Sequence, residues 1–184
     1  MNTTPTSDAA VLSRAARIRL ACFDVDGTLT DGRIHFDAQG GETKAFHVHD
    51  GMGLALLRKA GIRVALVTAR ASAAVERRAK ELEIEAHCAV ADKLALVEEL
   101  CAQMGIAMDE AAFMGDDLPD LRVMRAVGLA VAPGDAHQWT ARDAHWITVT
   151  RGGEGAAREL CDLLLGAQGL VEGLLEATVD GRGA

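Results

Sequence analysis

No stretch of this sequence approaches the roughly 20 consecutive apolar residues of a membrane span, and Met1 to Arg19 lacks the apolar core of a secretory signal. A cytoplasmic protein with no membrane partner is therefore expected. A basic stripe is missing too: Lys and Arg number 19 against 27 Asp and Glu, a net charge of −8, and the basic residues are scattered. Such a surface repels a phosphate backbone and argues against nucleic acid as a partner. An acidic protein that handled phosphate would need a cation. The cysteines, Cys22, Cys88, Cys101 and Cys161, form no Cys-x-x-Cys pair, and each sits in an apolar pattern. Buried free thiols are expected, with neither zinc nor a disulfide frame. Internal repeats and low-complexity tracts are absent as well.

What is present fits one globular domain: 184 residues, 49% apolar and 25% charged. Apolar runs of strand length (20–25, 63–68, 111–114, 128–132, 146–149) alternate with segments of helical period (51–59, 72–82, 93–104, 118–126, 155–165). That alternation predicts an α/β fold, a Rossmann-like parallel sheet with helices on both faces. Two extended runs, Arg33 to Phe36 and Thr43 to Val48, flank a Gly-rich turn and predict a β-hairpin projecting beside the sheet. The expected organisation is a flexible N-terminus over 1–17, a main unit over 18–166 with the hairpin inserted at about 30–50, and a C-terminal tail over 167–184. The spacing leaves no room for a separate cap domain.

In such sheets ligands bind beyond the carboxyl ends of the strands, and there the polar residues recur. Asp24 and Asp26 end the first strand two residues apart, so both side chains share one side, and Gly27 permits a sharp exit. Two carboxylates this close repel unless a cation lies between them or one keeps a proton, and either state serves phosphoryl transfer. An EF-hand loop is excluded, because its sixth position, counted from Asp24, is Leu29 instead of Gly. A purely structural pair in a turn is the competing explanation.

Thr68 closes the second strong strand before Arg70 and Ser72, where a hydroxyl and helix-start N–H groups would suit an anion, or would simply cap the helix. Lys93 begins a helix, where a cation opposes the helix dipole; it would neutralise a phosphoryl group and hold Asp24 ionised, or remain a solvated lysine. Asp116 and Asp117 follow another strand, with Asp120 at the next helix start. Together with Asp24 they offer the hard oxygen ligands that magnesium prefers.

Taken in order, Asp24-Val-Asp-Gly-Thr28, Thr68, Lys93 and Gly115-Asp-Asp117 resemble the four motifs of the haloacid dehalogenase superfamily. Within it, the segments 24–32, 46–51, 115–118 and 152–159 resemble the capless 3-deoxy-D-manno-octulosonate 8-phosphate phosphatase family. The resemblance implies that Asp24 is the nucleophile and that Asp26 protonates the leaving alcohol and then activates water, with Thr68 and Lys93 completing the catalytic set. It also implies Mg2+ held by Asp24, the Asp26 carbonyl and Asp116, with Asp117 and Asp120 supporting them. Thr28, Arg70 and His49 are the expected substrate contacts, Arg70 because its planar fork suits oxyanions.

The implied reaction is hydrolysis of 3-deoxy-D-manno-octulosonate 8-phosphate through an aspartyl-phosphate, in lipopolysaccharide biosynthesis. The nine-carbon analogue 2-keto-3-deoxynonulosonate 9-phosphate or another sugar phosphate is an alternative substrate, and a non-catalytic binding or assembly module is an alternative of another class. Some members carry Arg at the positions of His49 and Glu154 and Gly at that of Ala69, a departure that bears on which sugar acid is taken. The resemblance further implies a homotetramer built around the hairpins, with the tail reaching a neighbouring site; Leu170, Val171, Leu174 and Leu175 would give that tail an apolar face. His47 and His49 alternate on the predicted hairpin and would share one face of it.

Overall fold

A computed structural model of the chain describes residues 8–181. Six strands form one sheet, parallel throughout: β1 (Leu20–Phe23), β4 (Arg63–Val67), β5 (Glu85–His87), β6 (Ala111–Met114), β7 (Leu129–Ala132) and β8 (Trp146–Ile147), in the order β5-β4-β1-β6-β7-β8. Strands β2 (His35–Phe36) and β3 (Glu42–Thr43) pair antiparallel as a separate short hairpin. Period-two alternation divides the core between the two faces of the sheet. Ala21 and Phe23 pack beneath α1 (Ala9–Ala15), α2 (Val48–Lys59) and α7 (Ala156–Ala167), whereas Leu20 and Cys22 pack beneath α4 (Lys93–Met104) and α5 (Leu121–Met124). Phe23 and Leu66 are fully buried; truncation to Ala would cost about 3–5 kcal/mol at Phe23 and about 2–5 kcal/mol at Leu66 in lost transfer energy and cavity.

Helix boundaries follow local chemistry. The Asp92 carboxylate accepts from the N–H groups of Leu94 (3.1 Å) and Ala95 (3.2 Å) and so starts α4, which ends where Gly105 turns left-handed. Such a cap contributes about 1 kcal/mol. Helix α3 (Ala73–Leu82) and the short α6 (Gln138–Ala141) complete the main layers.

Several boundaries differ from the sequence expectation. Residues 9–15 are not a loose terminus: Asp8 caps them as α1, and Val11 and Ala15 are buried against the core; residues 1–7 of that expectation lie outside the described residues. The second extended run stops early, because His47 caps α2 through the N–H of His49 (3.3 Å) and Val48 becomes helical. Strand β5 escapes an apolar-run search since Glu85-Ala-His87 is an edge strand, half-buried and mostly polar. The helix expected over 118–126 is a 3-10 turn, Leu118–Asp120, followed by α5. After Ala167 the chain forms α8 (Val171–Val179); Leu170 and Leu174 pack at the edge of its own core, while Val171 and Leu175 stay exposed. Among the described residues no helix is long and apolar enough to cross a membrane.

Candidate active site

Strand β1 lies between β4 and β6, and the registers align Phe23 with Leu66 on one side and Met114 on the other. The residues that follow these strands therefore meet at one edge. The Asp24 N–H donates to Met114 O (2.8 Å) and carries the ladder one residue past β1. Gly27 then turns with φ +93°, and a Cβ there would lie 2.2 Å from Asp116 Oδ2, so no side chain fits between the two loops. The open cleft at this edge, about 290 Å3, is lined by Asp24, Asp26, Thr68, Arg70, Lys93 and Asp116. A larger depression of about 640 Å3 between α2, α3 and α8 is lined by residues such as Leu56, Lys59, Glu81 and Leu174; its carboxylates Glu81 and Glu83 are paired with Arg78 and Arg58, so size alone does not locate the chemistry.

Two sets of charged groups occupy the cleft. In the first, Lys93 Nζ sits 2.7 Å from Asp24 Oδ1 and 2.6 Å from Asp120 Oδ1, with all three side chains nearly inaccessible. These carboxylates answer the unfavourable placement of a cation at the start of α4. The other Asp120 oxygen accepts from the Asp116 N–H (3.1 Å) and so holds the loop after β6. Oxygen atoms of Asp24, Asp116 and Asp120 lie within 4.8 Å of one another. Burial, together with the charges of Asp24 and Asp120, pushes the Asp116 carboxyl up to about 8. Burial and Asp24 push Asp120 up to about 6 against the pull of Lys93, and burial likewise raises Asp24 against Lys93. Three carboxylates against one ammonium leave two negative charges uncompensated when all are ionised. A hard divalent cation matches both that deficit and the all-oxygen donor set.

The second set surrounds Asp26. Its carboxylate accepts from Lys44 Nζ on one oxygen and from the Thr68 hydroxyl (3.4 Å) on the other. Lys44 also pairs with Glu42 Oε1 (2.6 Å), and Glu42 Oε2 pairs with Arg70 Nη2 (2.5 Å). The Arg70 N–H returns to Thr68 Oγ1 (3.1 Å). The hydrogen bonds from Lys44 and Arg70 hold Glu42 below the usual carboxylate range. Burial acts to lower Lys44, but its bonds to Asp26 and Glu42 outweigh burial and raise it.

Asp24, Asp26, Thr68, Lys93, Asp116 and Asp120 thus converge, and Arg70 reaches the rim through Glu42. Two expected contributors stand off the cleft, and a third borders it without joining either set. Thr28 is fully buried and its hydroxyl reaches Asp116 Oδ1 (3.5 Å), so it touches the carboxylate cluster and does not line the cleft. His49 is exposed on the first turn of α2, its ring 5.1 Å from that of His47, which caps that helix, so the two share no hairpin face. Asp117 borders the cleft but is exposed, and its carboxylate caps its own turn through the Leu118 N–H (2.8 Å). Sequence reasoning missed Glu42 and Lys44. Their spacing of two on an extended run, which puts both side chains on one side, was the available signal.

Residues 89–160 match the family model of haloacid dehalogenase-like hydrolases. A curated 3-deoxy-D-manno-octulosonate 8-phosphate phosphatase of Yersinia pestis is 45% identical over 89% of this chain and 88% of its own length. Among solved structures, a hypothetical protein of Xanthomonas campestris matches with TM-score 0.92 and 53% identity, covering 96% of this chain and 98% of that one. The 3-deoxy-D-manno-octulosonate 8-phosphate phosphatase of Moraxella catarrhalis, solved with magnesium ion, phosphate ion and a KDO molecule, matches with TM-score 0.88 and 40% identity, covering 91% and 97%.

Proposed function

The chain belongs to the haloacid dehalogenase-like hydrolases, in the family of 3-deoxy-D-manno-octulosonate 8-phosphate phosphatases, and on that premise we propose that it hydrolyses this sugar-acid phosphate to the free sugar acid and phosphate. The observation that carries the reading is the pairing of Asp24 and Asp26 two residues apart in unlike surroundings, one beside a ligand-rich acidic cluster and the other beside cations and a hydroxyl. Asp24, Asp116 and the Asp26 carbonyl would hold magnesium. When bound, that ion offsets the repulsion between a phosphate and Asp24.

Asp24 attacks phosphorus: an Oδ–P bond forms, the P–O bond to the sugar breaks, and the Asp26 carboxyl gives its proton to the departing oxygen. Asp26, now a carboxylate, takes a proton from a water whose oxygen attacks the same phosphorus; the Asp24 Oδ–P bond breaks and phosphate leaves. Lys93 keeps Asp24 ionised and compensates charge on the transferring group, and the Thr68 hydroxyl holds one oxygen of Asp26. Arg70, at the rim, faces the substrate's remaining polar groups.

The enzyme acts in the cytoplasm, supplies lipopolysaccharide synthesis, and works as a homotetramer. Ile34 and Phe36, 48% and 67% exposed on the hairpin, support the assembly because apolar surface on a projecting element calls for a partner. A phosphate-release screen over sugar and sugar-acid phosphates, with magnesium and with a chelator, tests the reaction. Hydrolysis that persists under chelation would overturn it, and equal activity on simple hexose phosphates would remove the sugar-acid assignment. A fully active monomer in a sizing experiment would exclude the tetramer.

A further inference from the structure

The contacts around Asp26 close into a ring. Asp26 binds Lys44, Lys44 binds Glu42, Glu42 binds the Arg70 side chain, the Arg70 N–H binds Thr68 Oγ1, and Thr68 returns to Asp26. The ring joins three segments distant in sequence: the turn after β1, the hairpin strand β3 with the residue that follows it, and the loop after β4. With Asp26 ionised its charge closes too, two carboxylates against two cations, and that state needs no ion from solution.

Lys44 is its least expected member. Residues 31–41 of the hairpin are exposed throughout, yet the Lys44 side chain is only 2% exposed. A lysine on a projecting hairpin gains nothing by withdrawing from water unless its partners hold it there. Those partners fix each end of its task. Glu42, itself gripped by Arg70, anchors the ammonium, and the ammonium takes one oxygen of Asp26 while Thr68 takes the other.

Resting on the reading of Asp26 as the proton carrier, we propose that Lys44, anchored by Glu42, is a positioning residue that fixes the orientation of the Asp26 carboxyl toward the leaving oxygen. The hairpin then contributes to the chemistry of its own subunit as well as offering an apolar surface. Lys44 touches neither phosphorus nor the sugar in this role; it acts only through Asp26.

A merely structural role and a positioning role differ in their dependence on the leaving group. An aliphatic alkoxide needs a proton delivered in the transition state, whereas p-nitrophenolate departs readily without one. The test compares steady-state hydrolysis of 3-deoxy-D-manno-octulosonate 8-phosphate with the pre-steady-state burst of p-nitrophenolate from p-nitrophenyl phosphate. Lys44→Met is expected to lower kcat on the sugar phosphate by about 10–100-fold with KM within about threefold, and to slow the burst by less than about threefold. Glu42→Gln, which leaves Lys44 in place but loosens its anchor, is expected to give the same pattern at about 3–10-fold. Equal losses on both substrates, or no loss on the sugar phosphate, would overturn the proposal; if Lys44→Met does not fold, the same ratio in Glu42→Gln decides. A wild type inert on both substrates would overturn the phosphatase reading itself, an outcome distinct from active wild type with unselective variants.

Discussion

The two carboxylates that end β1 stand two residues apart, and the protein treats them in opposite ways. Asp24 is sealed in a cluster whose negative charge exceeds its single lysine, so its ionised state is stressed by burial and by neighbours of like sign. Asp26, with a side chain 23% exposed, sits in a ring whose charges cancel. One environment is built to attract a cation and the other to hold a side chain still. From nearly identical positions in the sequence, the fold makes a nucleophile and a proton carrier by choosing what surrounds each.

Exchanging the charges breaks this comparison most directly. Asp24→Asn is expected to reduce phosphate release by about 10⁴-fold or more, since the bond-forming oxygen is lost. Asp26→Asn is expected to reduce it by about 10²–10⁴-fold, with phosphate still bound. Steady-state assays beside a phosphate-binding measurement distinguish them. If the two variants lost activity equally and both failed to bind phosphate, the division of labour would be wrong.

The charge deficit around Asp24 makes a second prediction, in pH. The Asp116 carboxyl, raised to about 8, binds its proton more tightly in the metal-free folded state than in the unfolded chain. Its contribution to stability is therefore full below the ordinary carboxylate range near 4 and is lost as pH rises through about 8. Magnesium must displace that proton, so its apparent affinity is expected to rise about tenfold per pH unit toward pH 8 and then level off. Thermal melts with and without magnesium from pH 6 to 9 check this: the stabilisation by metal should grow with pH. A shift independent of pH would contradict the protonated, metal-free cluster.

The smallest effect is expected where a carboxylate of the same loop lies outside both sets. Asp117→Ala removes only a turn cap and should lower stability by about 1 kcal/mol while activity stays within about threefold. A loss as large as that of Asp26→Asn, measured by the same assay, would extend the acidic cluster to this position.

Much of this contrast is legible in the sequence because Asp24, Thr68 and Asp116 each come within two residues of the end of an apolar strand, and strand ends in a parallel sheet converge by topology. Lys93 is legible for a related reason, as an anomalous cation at a helix start. Glu42 and Lys44 are only half legible: their spacing of two puts both side chains on one side, but β2 and β3 span two residues each and leave open whether that side faces the cleft. Thr28 and His49 were placed by motif position, which fixes the backbone but not which way a side chain points. Helix α1 was obscured by its polar neighbours, because two buried side chains, Val11 and Ala15, are too few to announce a helical face.

Gly152 lies so near the turn after β1 that a Cβ there would sit 1.8 Å from Gly27 O, and the Gly153 N–H bonds to Thr28 O (3.0 Å). The wall behind the nucleophile's turn is thus made of residues synthesised more than a hundred positions later. Any side chain at position 152 would press on the turn that carries the nucleophile, so a residue remote in sequence sets the room that Asp24 has.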